Sequence, residues 1–269
     1  KFYDKNDARR DLPSRKKTDN KTHGGKCLLI AGSKSMPGAA VLCARAAARS
    51  GAGYVFLFKS TAPISFQREP DFLCQTLASV RELKKFKSFA LGPGCGPSSK
   101  LPTWIRRLVR LGSEHVVLDA EALNVLAKMR IKLPPTWILT PHEGELARLL
   151  QTSSASVQNN RKASVLAAQK KFGCVVLLKG HGTLVASVDS LWQIHSGNAA
   201  LAKAGTGDVL TGMITAFLAQ GVGSERAACL AAWLHGHLAD EWLREGRDIL
   251  SLMARDLPER LPALLARLR

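Results

Sequence analysis

Several things are scarce in this chain, and each scarcity removes a class of protein. Aromatic residues make up 6% of it, with only two tyrosines, too few for the stacking platforms that read single-stranded nucleic acid. No apolar run approaches the ~20 residues that a membrane-spanning helix requires. The six cysteines, Cys27, Cys43, Cys74, Cys95, Cys174 and Cys229, are scattered and contain no C-x-x-C pair. That speaks against a zinc site or a disulfide framework and for reduced, cytosolic usage. The opening KFYDKNDARRDLPSRKKTDNKTHGG has no apolar stretch that would make it a secretory signal. It also has no initiator Met, so the numbering is expected to begin inside a longer gene product. Acidic residues are few as well: 21 Asp and Glu stand against 39 Lys and Arg, a net charge of +18. Such an excess suits an anionic partner, either nucleic acid or a phosphorylated small molecule. The basic residues are, however, spread over helix faces and the first 26 positions. A solvated basic surface is the simpler account, and nucleic acid is not expected as a partner.

What is present is a repeating alternation. A hydrophobic share of 46% in 269 residues is enough for one large core. CLLIAGS (27–33) precedes PGAAVLCARAAARSGAG, where Val41, Leu42, Arg45 and Ala48 keep a helical period and Gly51 and Gly53 end it. YVFLF (54–58) is a strand. SFALGPG (88–94) leads into a helix near 98–111, HVVLDA (115–120) into EALNVLAKMR, and WILTPH (137–142) into EGELARLLQ. A polar helix over 155–172 precedes CVVLLKG (174–180). The period then changes: GTLVASVDSLWQIHSG reads as a hairpin turning at Val188, Asp189 and Ser190. Helices over 208–220, 224–245 and within 251–268 follow, with Pro258 and Pro262 interrupting the last or marking its turns. Continuous apolar strands alternating with helices predict an α/β fold, a mostly parallel sheet covered on both faces with an antiparallel hairpin at one side. Residues 26–269 are expected to form one domain behind a polar N-terminal arm, residues 1–25.

Ligands of open α/β sheets sit beyond the carboxyl ends of the strands. Those ends carry Gly32-Ser33, Gly92-Pro93-Gly94, Asp119, Thr140-Pro141-His142 and Lys179-Gly180, all small, polar or ionisable. No glycine stretch has P-loop order, no strand opens into G-x-G-x-x-G, and no G-x-S-x-G elbow occurs. KAGTGDVLTGM (203–213) stands apart, because the helix after it is apolar enough to be buried. The N–H groups of its first turn would then face the rim, where a phosphate could satisfy them. Asp208 has two readings there. It caps the helix, or it is a base that takes a proton from a hydroxyl attacking a phosphate. His142 stands on the rim as a ligand candidate. Lys179, Gly180, Gly182 and Thr183 allow close approach of a nucleotide, against the plainer reading of a tight turn, in which His181 is a tolerated turn residue. His235 and His237, two apart on one helix, face different sides and do not chelate.

The ordered set AGS…MPGAA, LGPG, LDAEALN, LTPHEGE, LKGHGT and NAALAKAGTGDVLTGM, over about residues 24–245, closely resembles the NAD(P)H-hydrate dehydratase family. The resemblance implies a ribokinase-like fold. It also implies dehydration of NADH or NADPH that carries water at C6 of the nicotinamide ring, at the expense of ADP or ATP with Mg²⁺. In kinase logic the C6 hydroxyl is phosphorylated, and phosphate then leaves as the ring double bond re-forms. On this resemblance Asp208 is the base, and Gly205, Thr206 and Gly207 form the anion hole. Ala39, Ala40, Gly94, His142 and Asn198 contact the hydrated dinucleotide together with Asp208. Lys179, Gly180, His181, Gly182, Thr183 and Gly207 contact ADP or ATP. Asp119 and Asn124 support. The form of NAALAKAGTGD favours ADP. A cytoplasmic homotetramer and an epimerase, as a fused domain or separate protein, are further implications. The rivals are a vitamin-precursor kinase of the hydroxymethylpyrimidine or hydroxyethylthiazole type, and a basic nucleic-acid-binding protein.

Overall fold

The structure, a computed structural model, describes residues 1–58, 73–75, 80–97 and 100–269. Among these the strands are β1 (Phe2–Tyr3), β2 (Lys26–Ile30), β3 (Tyr54–Phe58), β4 (Leu73–Gln75), β5 (Ser88–Leu91), β6 (Val116–Leu118), β7 (Ile138–Leu139), β8 (Val175–Leu178), β9 (Leu184–Ala186) and β10 (Leu191–Ile194). The helices are α1 (Lys5–Asp11), α2 (Pro37–Arg49), α3 (Leu101–Leu111), α4 (Glu121–Leu126), α5 (Glu143–Leu150), α6 (Ser154–Asn159), α7 (Arg161–Phe172), α8 (Thr206–Ala219), α9 (Ser224–Arg244) and α10 (Asp256–Leu268). One sheet runs β1-β10-β9-β8-β7-β6-β5-β2-β3-β4. The stretch from β8 to β4 is parallel throughout, whereas β9 is antiparallel to both β8 and β10.

The pleat sends alternate side chains to opposite faces, and the two cores follow from it. Cys27, Leu29, Ala90, Val117 and Ile138 pack with α2, α8, α9 and α10. Leu28, Ile30, Phe89, Leu91 and Leu118 pack with α3, α4, α5 and α7. Every residue of β8 is buried, as a strand covered on both sides requires. The hairpin turns where expected, with Ser187 N–H donating to the Ser190 carbonyl. Ser187, Ser190 and the Trp192 indole all donate to Glu225 on α9, which ties the hairpin to that helix.

The elements depart from expectation in three places. Residues 2–11, taken as part of a polar arm, are built into the fold: β1 pairs in parallel with β10, Ala8 is fully buried, and Tyr3 is buried with its hydroxyl donating to Asp11. The polar helix over 155–172 is two helices, because Asn160 leaves helical geometry. Pro262 lies inside α10 instead of ending it. Residues 98 and 99 of the expected helix near 98–111 fall outside the described residues.

α8 is the axis of this arrangement. All of its residues except Gly207 and Asp208 are buried, so its one opening to solvent is its first turn.

Candidate active site

The five polar strand ends follow β2, β5, β6, β7 and β8, which are neighbours in the sheet and parallel. They therefore form one continuous rim. α8 begins there. Its N-cap is Gly205, with φ 92°, a conformation that L side chains avoid. A Cβ at Gly205 would also stand 2.6 Å from Leu42 Cδ1. Only a glycine lets the chain enter α8 at this point.

This placement bears on the two readings of Asp208. It is the third residue of α8, not its cap, and no side-chain capping bond occurs there. Among the described residues no hydrogen bond reaches its carboxylate. In the same turn Thr206 N–H reaches the Lys203 carbonyl at 3.4 Å, and Val209 N–H bonds the Gly205 carbonyl. The N–H groups of Gly205, Gly207 and Asp208 find no acceptor among the described residues. The Thr206 hydroxyl faces the Leu201 and Lys203 carbonyls, each at 2.9 Å. The turn thus offers an open anion seat made from backbone, with Thr206 bracing it from behind. Burial, with Asp119 adding and Lys179 opposing, pushes the Asp208 carboxyl up to about 7. That is the range of a general base working near neutral pH.

Lys179 is engaged elsewhere than its sequence context suggested. Its ammonium donates to Asp119 Oδ1 at 2.8 Å and lies 3.7 Å from Glu145 Oε2. Burial works against its charge, but Asp119, Glu145 and Asp208 outweigh that and hold its pKa above the ordinary value. Asp119 is 2% exposed, and its second oxygen accepts from the Thr211 hydroxyl of α8 at 2.8 Å. Glu145 also accepts from the His142 N–H at 2.9 Å. His142 is the N-cap of α5: its Nδ1 accepts from Gly144 N–H at 3.0 Å, and the rest of the ring is exposed.

Beside the turn lies a cavity of about 480 Å³. Lys179, Gly180, His181, Thr183, Asn198, Thr206 and Gly207, all singled out in the sequence, line it; Gly182 does not. Asn198 is held by Asp240, whose two oxygens accept from the Asn198 side-chain amide at 3.0 Å and from Gly197 N–H at 2.9 Å. Gly94 backs onto Ala39 at the start of α2. Ala40, expected among the dinucleotide contacts, is fully buried in the core.

Sequence reasoning passed over two residues here. His235 lines the cavity and is buried; burial pushes its imidazole down to about 4. The ring is therefore neutral, and its Nε2–H donates to the Thr206 carbonyl at 2.9 Å. Its neighbour His237 stacks on Trp233 instead, so the two histidines do diverge. Asp240 is the second, and only its spacing from Asn198 in three dimensions reveals it.

The model of the NAD(P)H-hydrate dehydratase family matches residues 27–262. An ADP-dependent (S)-NAD(P)H-hydrate dehydratase of Neisseria meningitidis serogroup B is 41% identical over 229 residues, covering 80% of this chain and 76% of that protein. A bifunctional NAD(P)H-hydrate repair enzyme of Coxiella burnetii is 34% identical over 91% of this chain, which spans 51% of that longer protein. Among solved structures, the ADP/ATP-dependent NAD(P)H-hydrate dehydratase of Bacillus subtilis, co-crystallised with ATP and Mg²⁺, has a TM-score of 0.89 at 30% identity, over 100% of this chain and 98% of that one. A ribokinase-like superfamily protein of Enterococcus faecalis (TM-score 0.88, 21% identity) and a hydroxyethylthiazole kinase of Pyrococcus horikoshii (0.64, 14%) share the fold alone.

Proposed function

As this chain belongs to the NAD(P)H-hydrate dehydratase family, we propose that it returns the S epimer of hydrated NADH or NADPH to the working cofactor, using ADP or ATP. One observation carries the reading: an uncommitted carboxylate, Asp208, stands in a turn whose N–H groups lack acceptors, at the mouth of a nucleotide-sized cavity. Neither a helix cap nor a plain core helix needs that arrangement. A hydroxyl beside a bound terminal phosphoryl group does.

The proposed steps use the groups described above. The nucleotide occupies the cavity between Gly180–Thr183 and Asn198, with its terminal phosphoryl group at the first turn of α8. The N–H groups of Gly205 and Gly207 receive the oxygens on which charge accumulates. The hydrate lies on the other side, along Ala39, Gly94 and His142. Asp208 takes the proton of the C6 hydroxyl as its oxygen attacks phosphorus and the bond to the departing nucleotide breaks. The second half is an elimination. The C–O bond to the phosphate breaks, a proton leaves the adjacent ring carbon, and the double bond re-forms. Water is a poor leaving group and phosphate a good one, which is the chemical reason for a kinase fold in a dehydratase. Mg²⁺ enters as part of the nucleotide substrate, since phosphate oxygens and water supply most of its ligands. Among the described residues no cluster of three His, Cys, Asp or Glu would hold it independently.

The same reading takes ADP as the donor, residues 26–269 as one catalytic domain, and a cytoplasmic homotetramer as the working form. An epimerase acting on the other hydrate epimer is its expected companion, which the bifunctional relatives support. For location the structure contributes this: among the described residues no helix is long and apolar enough to cross a membrane. The vitamin-kinase rival rests on likeness of fold alone. The test is direct. The protein is incubated with hydrated NADPH, Mg²⁺ and either ADP or ATP, and NADPH absorbance is followed. Recovery with one of them is expected; none with either refutes the proposal.

A further inference from the structure

Two carboxylates approach the first turns of α8, and the structure treats them differently. Asp208 has no hydrogen-bond partner among the described residues. Asp119, at the end of β6, has both oxygens committed: Oδ1 to Lys179 Nζ and Oδ2 to Thr211 Oγ1, each at 2.8 Å. Thr211 is three residues after Asp208 and so shares its helix face. It is fully buried, and it is tied further inward, since Thr215 Oγ1 donates to its carbonyl at 2.7 Å. The residue after Asp119 is Ala120, with φ 49°, a conformation that costs an L residue on the order of 1–3 kcal/mol. The chain accepts that strain where β6 delivers Asp119 to α8. On its other side, Lys179 Nζ lies 3.5 Å from where a Cβ on Gly207 would be. The ammonium is therefore directly below the anion turn.

The groups facing Asp208 come from four places in the fold: Asp119 after β6, Lys179 after β8, Cys43 on α2 and Cys95 in the turn after β5. His235 on α9 meets the same turn at the Thr206 carbonyl. Burial pushes the Cys43 thiol up well above its ordinary value and the Cys95 thiol up to about 11, and keeps His235 neutral. Among the described residues that leaves the Asp119–Lys179 ion pair as the charged neighbour of Asp208.

We propose that Asp119 is a positioning residue for the reaction: it fixes Lys179 beneath the anion turn with one oxygen, anchors α8 through Thr211 with the other, and so leaves Asp208 as the one uncommitted carboxylate at the phosphoryl seat. Its use in catalysis rests on the dehydratase reading; its geometry does not. Lys179 then serves the base and the turn, and the nucleotide is held by the backbone around it.

The consequence has a sign. Asp119 disfavours ionised Asp208, and Lys179 favours it. Asp119→Asn removes a like charge and leaves the ammonium freer to face Asp208, so both effects push Asp208 to ionise at lower pH. Lys179→Gln does the reverse. The measurement is a carboxyl-carbon NMR titration of Asp208 in the full chain without substrate, with its signal assigned through Asp208→Asn. The midpoint is expected to move down by about one pH unit in Asp119→Asn and up by a similar amount in Lys179→Gln. The acid limb of kcat/KM for the hydrate moves with it in each variant that turns over. A merely structural role lowers the rate without opposed shifts. Midpoints that stay together, or move in the same direction, overturn the proposal. If Asp119→Asn does not fold, the upward shift in Lys179→Gln decides alone. Because the titration needs no substrate, a wild-type protein that recovers no NADPH refutes the dehydratase reading without touching this result.

Discussion

Gly212 touches no ligand and lies four residues beyond Asp208, yet its replacement by alanine is expected to cost both stability and turnover. α8 crosses α2 at this point. A Cβ on Gly212 would stand 2.1 Å from the Cys43 carbonyl oxygen and 3.0 Å from Ala46 Cβ. Both obstacles lie on the buried face of α2, and the nearer is backbone, so no side chain can swing aside. Restoring a contact of ~3.5 Å requires the two helices to part by about 1.4 Å. Overpacking of this kind costs about 1–3 kcal/mol, against which alanine regains about 1 kcal/mol of helix propensity. The net loss is up to about 2 kcal/mol, a fall in Tm of up to roughly 4–8 °C for a chain of this size. The functional effect is larger in proportion. α8 carries the anion turn, and a misplacement near 1 Å costs up to about a hundredfold in rate. Thermal unfolding and steady-state kinetics of Gly212→Ala, beside Gly38→Ala, measure both. Gly38 is an exposed helical position where a Cβ meets nothing within 4 Å, so its variant should melt at or slightly above the parent. A Gly212→Ala protein that melts and turns over like wild type would show that the α2–α8 contact does not hold the turn in place.

Three further outcomes are expected. Asp208→Asn should abolish NADPH recovery while nucleotide affinity, followed by calorimetry, stays within about threefold; retained turnover removes Asp208 from the mechanism. That variant should also be the more thermostable at pH 8. Asp208 is raised from 3.8 to about 7 in the folded protein, so its contribution to stability is present below pH 3.8 and lost as pH rises through 7; equal melting of the two proteins at pH 8 contradicts the raised value. For the wild type, kcat/KM for the hydrate should fall about tenfold per pH unit below 7 as the base is protonated, and a flat profile between pH 5 and 8 counts against it. Asp240→Ala should loosen the Gly197–Asn198 turn, raising the nucleotide KM about tenfold through the two lost hydrogen bonds while the hydrate KM stays put; a change confined to the hydrate would place that turn in the other subsite.

The sequence carried the sheet well where strands are covered on both faces. VVLL of β8 has a single sensible environment, and the small residues after β2, β5, β6, β7 and β8 fall on one rim because those strands are neighbours. Asp208 could not be resolved from its neighbours, since cap and third helical residue differ by the φ of Gly205, a quantity that composition does not express. The ion pair of Lys179 was hidden for a similar reason. Its partner Asp119 is 60 residues away, and a lysine after a strand looks the same whether its charge is spent or free. Residues 2–11 were taken as arm because a two-residue strand has no period. Tyr3 and Ala8 are buried only because β10 and α9 happen to be there to receive them. Ala40 differs in the other direction: a family motif gave the position, and helix phase turns it inward.

α8 is enclosed on every side, and that has a consequence for how such a site can change over time. Substitutions along it disturb the core it shares with α2, α9 and the sheet, so drift has little room there and the phosphate seat is inherited with the fold. His142, proposed to meet the hydrate, is exposed at the surface and free to vary. One unchanging axis with a replaceable mouth lets a single scaffold diversify its acceptors while the phosphoryl chemistry beneath them stays the same.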